Sequence, residues 1–297
     1  MFDRPILIAG PTASGKSALA LRLAGEHDAV IVNADSMQVY EVLDVLTARP
    51  SPADRQQAPH HLYGHVPPTH SYSTGQWLRD VEALAQDPGV IGRTVIFVGG
   101  TGLYFRALTR GLSPMPPIDP QIRQHWRIRL DSEGVAAMHR LLAERDPPVA
   151  AALRPSDPQR ILRALEVLDA SGRSISWWQA QPGTPLVDAG AAERMVLLPP
   201  RPWLRERVAG RFRAMIEAGA VDEVKRLRAL HPSADAPALR AIGVRELSAW
   251  LDGEMTRDEA VKAAIAATNA YVKRQMTWFR NQLNPGWRVV GHAGNIP

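Results

Sequence analysis

The feature that most restricts the fold is the stretch ILIAGPTASGKSALALRLA, residues 6–24. Residues 10–17 within it fit the pattern G-x-x-x-x-G-K-[ST], in which backbone N–H groups and a helix N-terminus hold phosphate oxygens. The apolar run at residues 6–9 has the length of a buried strand, and apolar residues at helical spacing follow Lys16. Strand, loop and helix together predict a phosphate-binding α/β fold, in which Lys16 supplies a positive charge and Ser17 a hydroxyl ligand for Mg²⁺.

Further apolar runs predict neighbouring strands of a parallel sheet. Residues 29–32 are rich in β-branched side chains and precede a turn that contains Asp35. Residues 94–98 precede the turn GGTG at 99–102, and a later apolar run covers residues 195–198. Because strands of this kind are apolar throughout, they are typical of a parallel sheet that is buried on both faces.

A proline-rich segment interrupts this pattern. Residues 111–120, GLSPMPPIDP, contain four prolines, and the strand signals stop beyond them. Helical patterns with mixed charge follow at residues 121–145 and 157–170. We therefore predict a small all-helical domain, inserted at residues 118–195.

The segments on either side of the insertion form one predicted domain. Residues 1–117 and 196–297 are expected to build a P-loop NTPase-like α/β core with a parallel sheet. In the last part of this core, helices are predicted over residues 203–230, 240–252 and 256–283.

Composition limits the possible environments and partners. The 297 residues are 45% hydrophobic and include no cysteine, which allows a large core and excludes disulfides and thiolate metal sites. We see no signal peptide and no apolar run of about 18 residues, so we expect a cytoplasmic protein without a membrane segment. Residues 196–297 carry 16 basic and 10 acidic side chains, which favours an anionic partner, although a merely solvated charged face is the alternative.

The predicted strand ends do not favour ATP hydrolysis. A P-loop NTPase or kinase usually presents an acidic residue at the end of a neighbouring strand to hold Mg²⁺. The strand at residues 94–98 ends in GGTG instead, and Asp35 is the one carboxylate at a clear strand end. Asp35 could hold a metal through water, accept a proton from a nucleophile, or only cap a turn.

Histidines cluster at PHHL, residues 59–62, with His65 and His70 nearby. Prolines and glycines around them prevent the helical spacing of a zinc site, and no cysteine accompanies them. We predict a loop of hydrogen-bonding histidines rather than a metal centre.

The aromatic and basic residues of the predicted insertion each allow two interpretations. Trp126, Trp177 and Trp178 could stack on bases or could build the core of a small domain. Arg160 and Arg163 are spaced i,i+3 on a predicted helix and could hold phosphates or lie on a solvated face. Basic and aromatic residues also occur together near the C-terminus. Helical spacing there places Lys273, Thr277 and Arg280 on one side of a predicted helix.

The order of the motifs adds a family resemblance. The chain carries, in order, GPTASGKS (10–17), DSMQVY (35–40), TARP (47–50), PHHL (59–62), GGTGLY (99–104), GLSP (111–114), DPQRILRALEV (157–167) and KRQMTWFR (273–280). This set resembles the bacterial tRNA dimethylallyltransferases, also called isopentenyltransferases, over nearly the whole chain. The resemblance implies transfer of a dimethylallyl group from dimethylallyl diphosphate to the exocyclic N6 amine of the adenine immediately 3′ of the tRNA anticodon, with release of diphosphate.

The resemblance also implies roles for individual residues. Asp35 would be the base that removes the amine proton, and Thr101 would lie against the bridging oxygen of the donor. Mg²⁺ would be the cofactor, with Ser17 as its ligand, directly or through water. The implied diphosphate contacts are Gly10, Pro11, Thr12, Ala13, Ser14, Gly15, Lys16, Ser17 and Arg211.

The implied macromolecular partner is the tRNA anticodon stem-loop, and we expect the protein to act as a monomer. The residues implied to contact tRNA are Asp35, Ser36, Met37, Gln38, Thr101, Arg123, Gln159, Arg160, Ile161, Leu162, Arg163, Arg240, Ala241, Ile242, Gly243, Val244 and Arg245. The chain departs from the usual family pattern at Leu46, Val244 and Asn269. These departures concern RNA contacts and substrate range rather than the reaction.

Two other classes of function share some of these features. A small-molecule or nucleotide kinase would have the same loop and α/β core, and would release ADP in the presence of its acceptor. A non-catalytic tRNA-binding protein would use the basic C-terminal third alone. It would have no need of an intact Lys16–Ser17 pair or of Asp35, so the sequence favours the transferase.

Overall fold

The computed structural model describes residue 2, residues 4–283 and residues 285–291. The chain divides into two compact units. The larger unit comprises the chain up to Thr109 together with the chain from Leu186 onward, and the smaller unit is Arg110–Pro185.

The larger unit is built on a six-stranded, entirely parallel sheet. Its strands are β1 (Ile6–Ala9), β2 (Val30–Asn33), β3 (His60–His61), β4 (Val95–Gly99), β5 (Glu193–Leu197) and β6 (Arg288–Val290). Their order across the sheet is β3-β2-β4-β1-β5-β6. Every residue of β1, β2 and β4 is buried, as expected for strands covered on both faces. The predicted P-loop-like α/β fold with a parallel sheet is confirmed.

Helices connect the strands and supply the regular secondary structure described for the smaller unit. They are α1 (Lys16–His27), α2 (Pro52–Gln57), α3 (Thr74–Leu84), α4 (Gly102–Arg110), α5 (Pro120–Arg145), α6 (Pro147–Ala152), α7 (Pro158–Ser171), α8 (Ile175–Gln179), α9 (Arg201–Glu217), α10 (Ala220–Ala229), α11 (Val244–Leu251) and α12 (Arg257–Gln282). A 3-10 helix covers Pro237–Arg240. Of these elements, α5 to α8 belong to the smaller unit.

Left-handed glycines break two helices that the sequence predicts as continuous. The helix expected over residues 203–230 is divided into α9 and α10, because Gly219 has φ +100°. The helix expected over 240–252 begins only at Val244, after Gly243 with φ +101°. A helix cannot continue through a left-handed residue, and apolar periodicity does not reveal which glycines adopt that conformation.

The smaller unit has its own hydrophobic core. Trp126 is 2% exposed within it and donates its indole N–H to Asp169 over 2.9 Å. Trp126 is therefore a core residue and not a stacking platform. Trp177 is 41% exposed, and the guanidinium of Arg173 lies 4.0 Å from its ring centroid.

The segment after the smaller unit returns to the core of the larger unit. The N–H groups of Leu186 and Val187 both donate to the carbonyl of Leu108 over 3.0 Å, and Val187 is fully buried. The compact helical unit thus covers residues 110–185, whereas the sequence pattern places the insertion at 118–195.

No helix among the described residues combines the length and the hydropathy that crossing a membrane requires.

Candidate active site

Three loops meet at the carboxyl ends of adjacent parallel strands. Because β4 pairs with both β1 and β2, the loops that follow these strands share one edge of the sheet. These loops contain the phosphate-loop motif at 10–17, Asp35 and the GGTG turn at 99–102. Ligands of open α/β sheets bind at this edge, so the topology places the predicted chemistry where this fold usually has its site.

The phosphate loop ends directly at the N-terminus of α1. Gly15 is the N-cap residue with φ +91°, and Ala13 also has a left-handed φ of +67°. A glycine N-cap has no side chain to bond the first N–H groups of the helix, so they stay available to an anion. Ser14 is fully buried, and its Oγ has no hydrogen-bond partner among the described residues.

Two cations and one carboxylate converge beside this loop. Burial lowers the pKa of Lys16 to about 8, Asp35 opposes this shift, and Arg211 adds to it. Burial likewise lowers the pKa of Arg211, against the opposing effect of Asp35. In the free protein the Lys16 Nζ donates to the carbonyl of Pro11 over 3.3 Å. Positive charge held in such a poorly solvated place is stabilised by an anionic ligand.

The backbone at Asp35 is fixed by the last residue of β2. Asn33 is fully buried, and its Oδ1 accepts the N–H of Asp35 over 2.8 Å, while its Nδ2 donates to the Asp35 carbonyl over 2.9 Å. The Trp77 indole donates to the Asn33 carbonyl over 2.9 Å. Asp35 Oδ1 accepts the N–H of Met37 over 3.0 Å. Asp35 thus caps a turn with one oxygen and also lines the cavity described below, so capping the turn is compatible with a role toward a ligand.

The GGTG turn packs closely against the Asp35 loop. Thr101 donates its N–H to the carbonyl of Ala34 over 3.2 Å, and its Oγ1 accepts the N–H of Ser36 over 2.9 Å. A Cβ at Gly99 would collide with the Ala34 carbonyl, and one at Gly102 would collide with the ring of Trp278. The glycines in this turn therefore allow the close approach that joins Thr101 to the loop of Asp35.

A cavity of about 310 Å³ lies beside the phosphate loop and the Asp35 loop, and Thr101 is not among its lining residues. Its polar lining is Thr12, Lys16, Ser17, Asp35, Ser36, Gln38, Thr47, Arg211, Arg240, Thr268, Tyr271 and Arg274. Its apolar lining is Met37, Leu46, Val208, Phe212, Met215, Ala241 and Ile242. The cavity thus joins a phosphate loop with cations to an apolar wall, a combination that suits a diphosphate ester with a small hydrocarbon group.

The metal-binding capacity of the site is modest. No group of three or more His, Asp or Glu residues that could hold a metal occurs in the described part of the chain. Ser17 and Asp35 both line the cavity beside the phosphate loop. Mg²⁺ characteristically takes few protein ligands and completes its shell with phosphate oxygens and water, so this donor set fits Mg²⁺ together with a bound diphosphate.

Two of the four histidines form part of the sheet. His60 and His61 make up the short edge strand β3, which corrects the prediction of a loop for these two residues, whereas His65 and His70 lie outside the strands. His60 Nδ1 lies 2.8 Å from the carbonyl of Ala58, and burial lowers the pKa of both histidines.

The residues implied to contact tRNA in the larger unit lie in different environments. Arg240, Ala241 and Ile242 line the cavity, as do Ser36 to Gln38. Gln38 Nε2 donates to the carbonyls of Thr47 and Ala48, over 2.9 and 3.0 Å. Gly243 initiates α11, Arg245 is exposed, and Val244 is buried with 3% exposure. Val244 therefore contributes to packing, whereas Arg245 is open to ligands.

The implied tRNA contacts of the smaller unit occupy α5 and α7. The side chain of Arg160 is 75% exposed and that of Arg163 is 37% exposed, with Gln159 exposed beside them. Ile161 is fully buried in the core of this unit, and Leu162 is half-buried. Glu166 is half-buried, and Arg163 and Arg123 oppose the rise in its pKa caused by burial.

Helix α12 reaches the site through a face that the sequence does not single out. Thr268, Tyr271 and Arg274 line the cavity at helical spacing. The sequence analysis instead groups Lys273 with Thr277 and Arg280. The buried residues of α12 recur at a spacing of four from Ala260 through Ala264 and Thr268, and this spacing is the sequence signal for the inward face of the helix.

Comparison with known proteins gives consistent matches to one family. Residues 38–282 match the family model described as IPP transferase, and residues 4–63 match the one described as isopentenyl transferase. The tRNA dimethylallyltransferase of Chelativorans sp. (strain BNC1) is 60% identical over 97% of this chain and 98% of its own length. That of Rhizobium etli is 54% identical, with 98% of each chain covered.

Solved structures agree with the sequence matches. The full-length tRNA isopentenylpyrophosphate transferase of Bacillus halodurans superposes with a TM-score of 0.68 at 31% identity, covering 97% of this chain and 89% of that one. A eukaryotic dimethylallyltransferase acting on tRNA superposes with a TM-score of 0.81 at 25% identity, covering 97% and 73%. Since sequence and fold agree over nearly the whole length, the chain belongs to the tRNA dimethylallyltransferase family.

Proposed function

We propose that the protein transfers the dimethylallyl group of dimethylallyl diphosphate to the N6 amine of the adenine immediately 3′ of the anticodon in tRNA. The observation that carries this proposal is the cavity in which a phosphate loop, two half-buried cations, a carboxylate and an apolar wall meet. The family relationship supports the same reaction.

The phosphate loop and its cations would bind the leaving group. Transfer from an allylic diphosphate develops negative charge on the departing oxygens as the bond from carbon to the bridging oxygen breaks. Lys16, Arg211 and the N-terminus of α1 would stabilise that charge, and Thr101 would lie near the bridging oxygen. The apolar lining formed by Val208 and Phe212 would hold the hydrocarbon group.

Asp35 would act on the acceptor. The exocyclic amine of adenine is a poor nucleophile because its lone pair is delocalised into the ring. As the bond from nitrogen to carbon forms, the amine proton would pass to the carboxylate of Asp35, which is a general base. The adenine has to leave the stack of the anticodon loop, at a modest cost because that loop is single-stranded.

Mg²⁺ would be held by Ser17, directly or through water, together with the diphosphate oxygens. When bound, it would neutralise part of the negative charge on the leaving group. The role of this chain is to present the hydroxyl of Ser17 at the start of α1 and to keep Lys16 and Arg211 beside it.

The tRNA would contact both units of the chain. Ser36, Met37, Gln38 and the segment 240–245 would meet the target nucleotide and its neighbours. The exposed arginines of the smaller unit would hold phosphates of the anticodon stem. We expect a monomer, because one chain supplies every group named in this mechanism, and a tRNA substrate fits a cytoplasmic protein.

Transfer of label tests the proposal directly. The protein is incubated with labelled dimethylallyl diphosphate, Mg²⁺ and unmodified tRNA in the absence of ATP. The expected result is label in the tRNA together with an equal amount of released diphosphate. A parallel reaction contains ATP without the donor; ADP release there, with no label transferred in the first reaction, would contradict the proposal and favour a kinase.

A further inference from the structure

A buried amide on α12 joins two of the loops around the cavity. Gln275 is 5% exposed and is not one of the residues that line the cavity. Its Oε1 accepts the backbone N–H of Thr12 over 3.0 Å, and its Nε2 donates to the carbonyl of Gly100 over 3.0 Å. One side chain therefore bonds both the phosphate loop and the turn after β4.

Each of these two loops carries a group that the proposed reaction needs. The phosphate loop would hold the leaving group, and Gly100 precedes Thr101 in the chain. Thr101 Oγ1 in turn accepts the N–H of Ser36, which follows Asp35. A continuous path of hydrogen bonds and short backbone links thus connects the diphosphate site, through Gln275, to the proposed base.

The sheet fixes the spacing of the loops only as far as the strand ends. The register between β1 and β4 ends at Ala9 and Gly99, and the N–H of Gly10 donates to the Gly99 carbonyl over 3.3 Å. Beyond this point both segments leave the sheet. Gln275 then bonds the residue that lies two positions after Gly10 and the residue that follows Gly99.

Close packing makes this connection stiff. A Cβ at Gly100 would collide with Gln275 Nε2 and would lie 3.0 Å from Asp35 Oδ2. The backbone of Gly100 is therefore held between the amide and the carboxylate. Because packed groups of this kind have little room to adjust, a shift of the amide would move the backbone against Asp35.

The bridge needs the chemistry of an amide. It requires one acceptor, for the Thr12 N–H, and one donor, for the Gly100 carbonyl, and an amide supplies both. An ionised glutamate supplies acceptors alone and would leave the Gly100 carbonyl without its donor. A methionine of similar length supplies neither of these strong hydrogen bonds.

We propose that Gln275 is a positioning residue, which sets the distance between the bound diphosphate and the pair formed by Thr101 and Asp35. It acts through the two loops and does not touch the donor or the adenine. By holding the loops at one separation, it aligns the donor carbon with the attacking amine. This inference rests on the proposed function, since it assigns both loops to the transfer reaction.

The first test is the variant Gln275→Met, which keeps the length of the side chain and removes its hydrogen bonds to Thr12 and Gly100, together with the one to the Tyr271 side chain. Because misplacement of reacting groups by about 1 Å can cost about 100-fold in rate, we expect the single-turnover rate to fall by about 30- to 100-fold. The Kd values for dimethylallyl diphosphate and for an anticodon stem-loop should each change by less than about threefold, since the groups that bind them remain.

A matched control separates positioning from general destabilisation. Thr109→Val removes a hydrogen bond of 2.9 Å from a side chain to the Phe105 carbonyl, within α4 and outside the cavity lining. The variant Thr109→Val should transfer the dimethylallyl group at the parental rate, even if its thermal unfolding temperature falls as much as that of Gln275→Met.

The second test is the pH dependence of Gln275→Glu. A protonated glutamic acid carries one donor and one acceptor, as the amide does, whereas the ionised form does not. The rate of Gln275→Glu divided by that of the parent should therefore rise as pH falls. Division by the parental rate removes any pH dependence that both proteins share.

The outcomes distinguish the two proposals. Full parental rate in Gln275→Met, an equal loss of donor binding and rate, or a ratio for Gln275→Glu that does not change with pH would each overturn the positioning role. Absence of transfer by the parent protein would overturn the proposed function itself, and with it this inference.

Discussion

Arg207 Nε donates a hydrogen bond to the carbonyl of Ala13 over 3.1 Å, and so a side chain of α9 holds the phosphate loop at a residue with a left-handed φ. The guanidinium also lies 4.6 Å from the ring centroid of Trp203 on the same helix. The loop conformation that would grip a diphosphate is therefore supported from outside the loop, by a residue that is 194 positions away.

Removal of the hydrogen bond from Arg207 to the phosphate loop should weaken the binding of dimethylallyl diphosphate. We expect Arg207→Met to raise the Kd for dimethylallyl diphosphate about tenfold, which corresponds to about 1.4 kcal/mol for one lost hydrogen bond from a charged group. Isothermal titration calorimetry measures this value. Arg205→Met, an exposed change on the same helix, is the control, and equal affinities in both variants would show that Arg207 does not shape the loop.

Donor binding should weaken at alkaline pH. Burial lowers the pKa of Lys16 to about 8, so the free protein loses this cation as pH rises through that value. Bound diphosphate stabilises the ammonium form and raises its pKa in the complex. Affinity should therefore be constant well below pH 8 and should fall above it, by no more than about tenfold per pH unit.

Calorimetry between about pH 7 and pH 9 would measure this decline, together with the uptake of a proton on binding. Lys16→Arg provides the control, because a guanidinium stays charged throughout this range. The same decline in Lys16→Arg would assign the pH dependence to another group.

Charge reversal at Arg160 should weaken tRNA binding without affecting the donor. The side chain is 75% exposed and lies 3.5 Å from Asp157, so it can reach a phosphate at little cost. We expect Arg160→Glu to lower the slope of log K against log salt by about 1. Filter binding over a salt series gives the slope. Arg140→Glu makes the same charge change at an exposed position of α5 and should leave the slope near the parental value.

A buried carboxylate stabilises the segment that carries Leu46 into the cavity. Glu223 is 1% exposed and accepts the N–H groups of Val45 and Leu46, over 2.6 and 2.9 Å. Glu223→Leu leaves both N–H groups without an acceptor, so the free energy of unfolding should fall by about 3 kcal/mol.

Chemical denaturation measures the effect of Glu223→Leu. For comparison, Glu217→Gln breaks an ion pair of 2.6 Å with Arg257 in which the Glu217 side chain is 76% exposed. This exposed pair should contribute less than about 1 kcal/mol. A similar loss in both variants would contradict the structural role of Glu223.

Local motifs made part of this structure predictable. The first strand was expected at residues 6–9 and is β1 (Ile6–Ala9), because an apolar run before a phosphate loop is a short-range pattern. The proximity of Asp35 and Thr101 follows from the rule that ligands bind at the carboxyl ends of parallel strands. Both features depend on residues that are close in sequence to the strands that position them.

Other features depend on distant partners and leave no local signal. Gln275 bonds Thr12 across 263 positions, and Arg207 bonds Ala13 across 194. Nothing in the sequence near Gln275 identifies those partners. The sequence also gives no signal for the helix break at Gly219, because a glycine is compatible both with a helix and with the left-handed backbone that ends it.

The proposed role of Asp35 is to accept the proton of the adenine amine as the dimethylallyl group is transferred. The most direct measurement is the single-turnover rate of transfer to an anticodon stem-loop with adenine 3′ of the anticodon, and to one with hypoxanthine, which lacks the exocyclic amine. The parent should modify the adenine substrate alone, and Asp35→Asn should be slower by about 10²- to 10⁴-fold with unchanged RNA affinity. Label on the hypoxanthine substrate, or a parental rate in Asp35→Asn, would contradict the account.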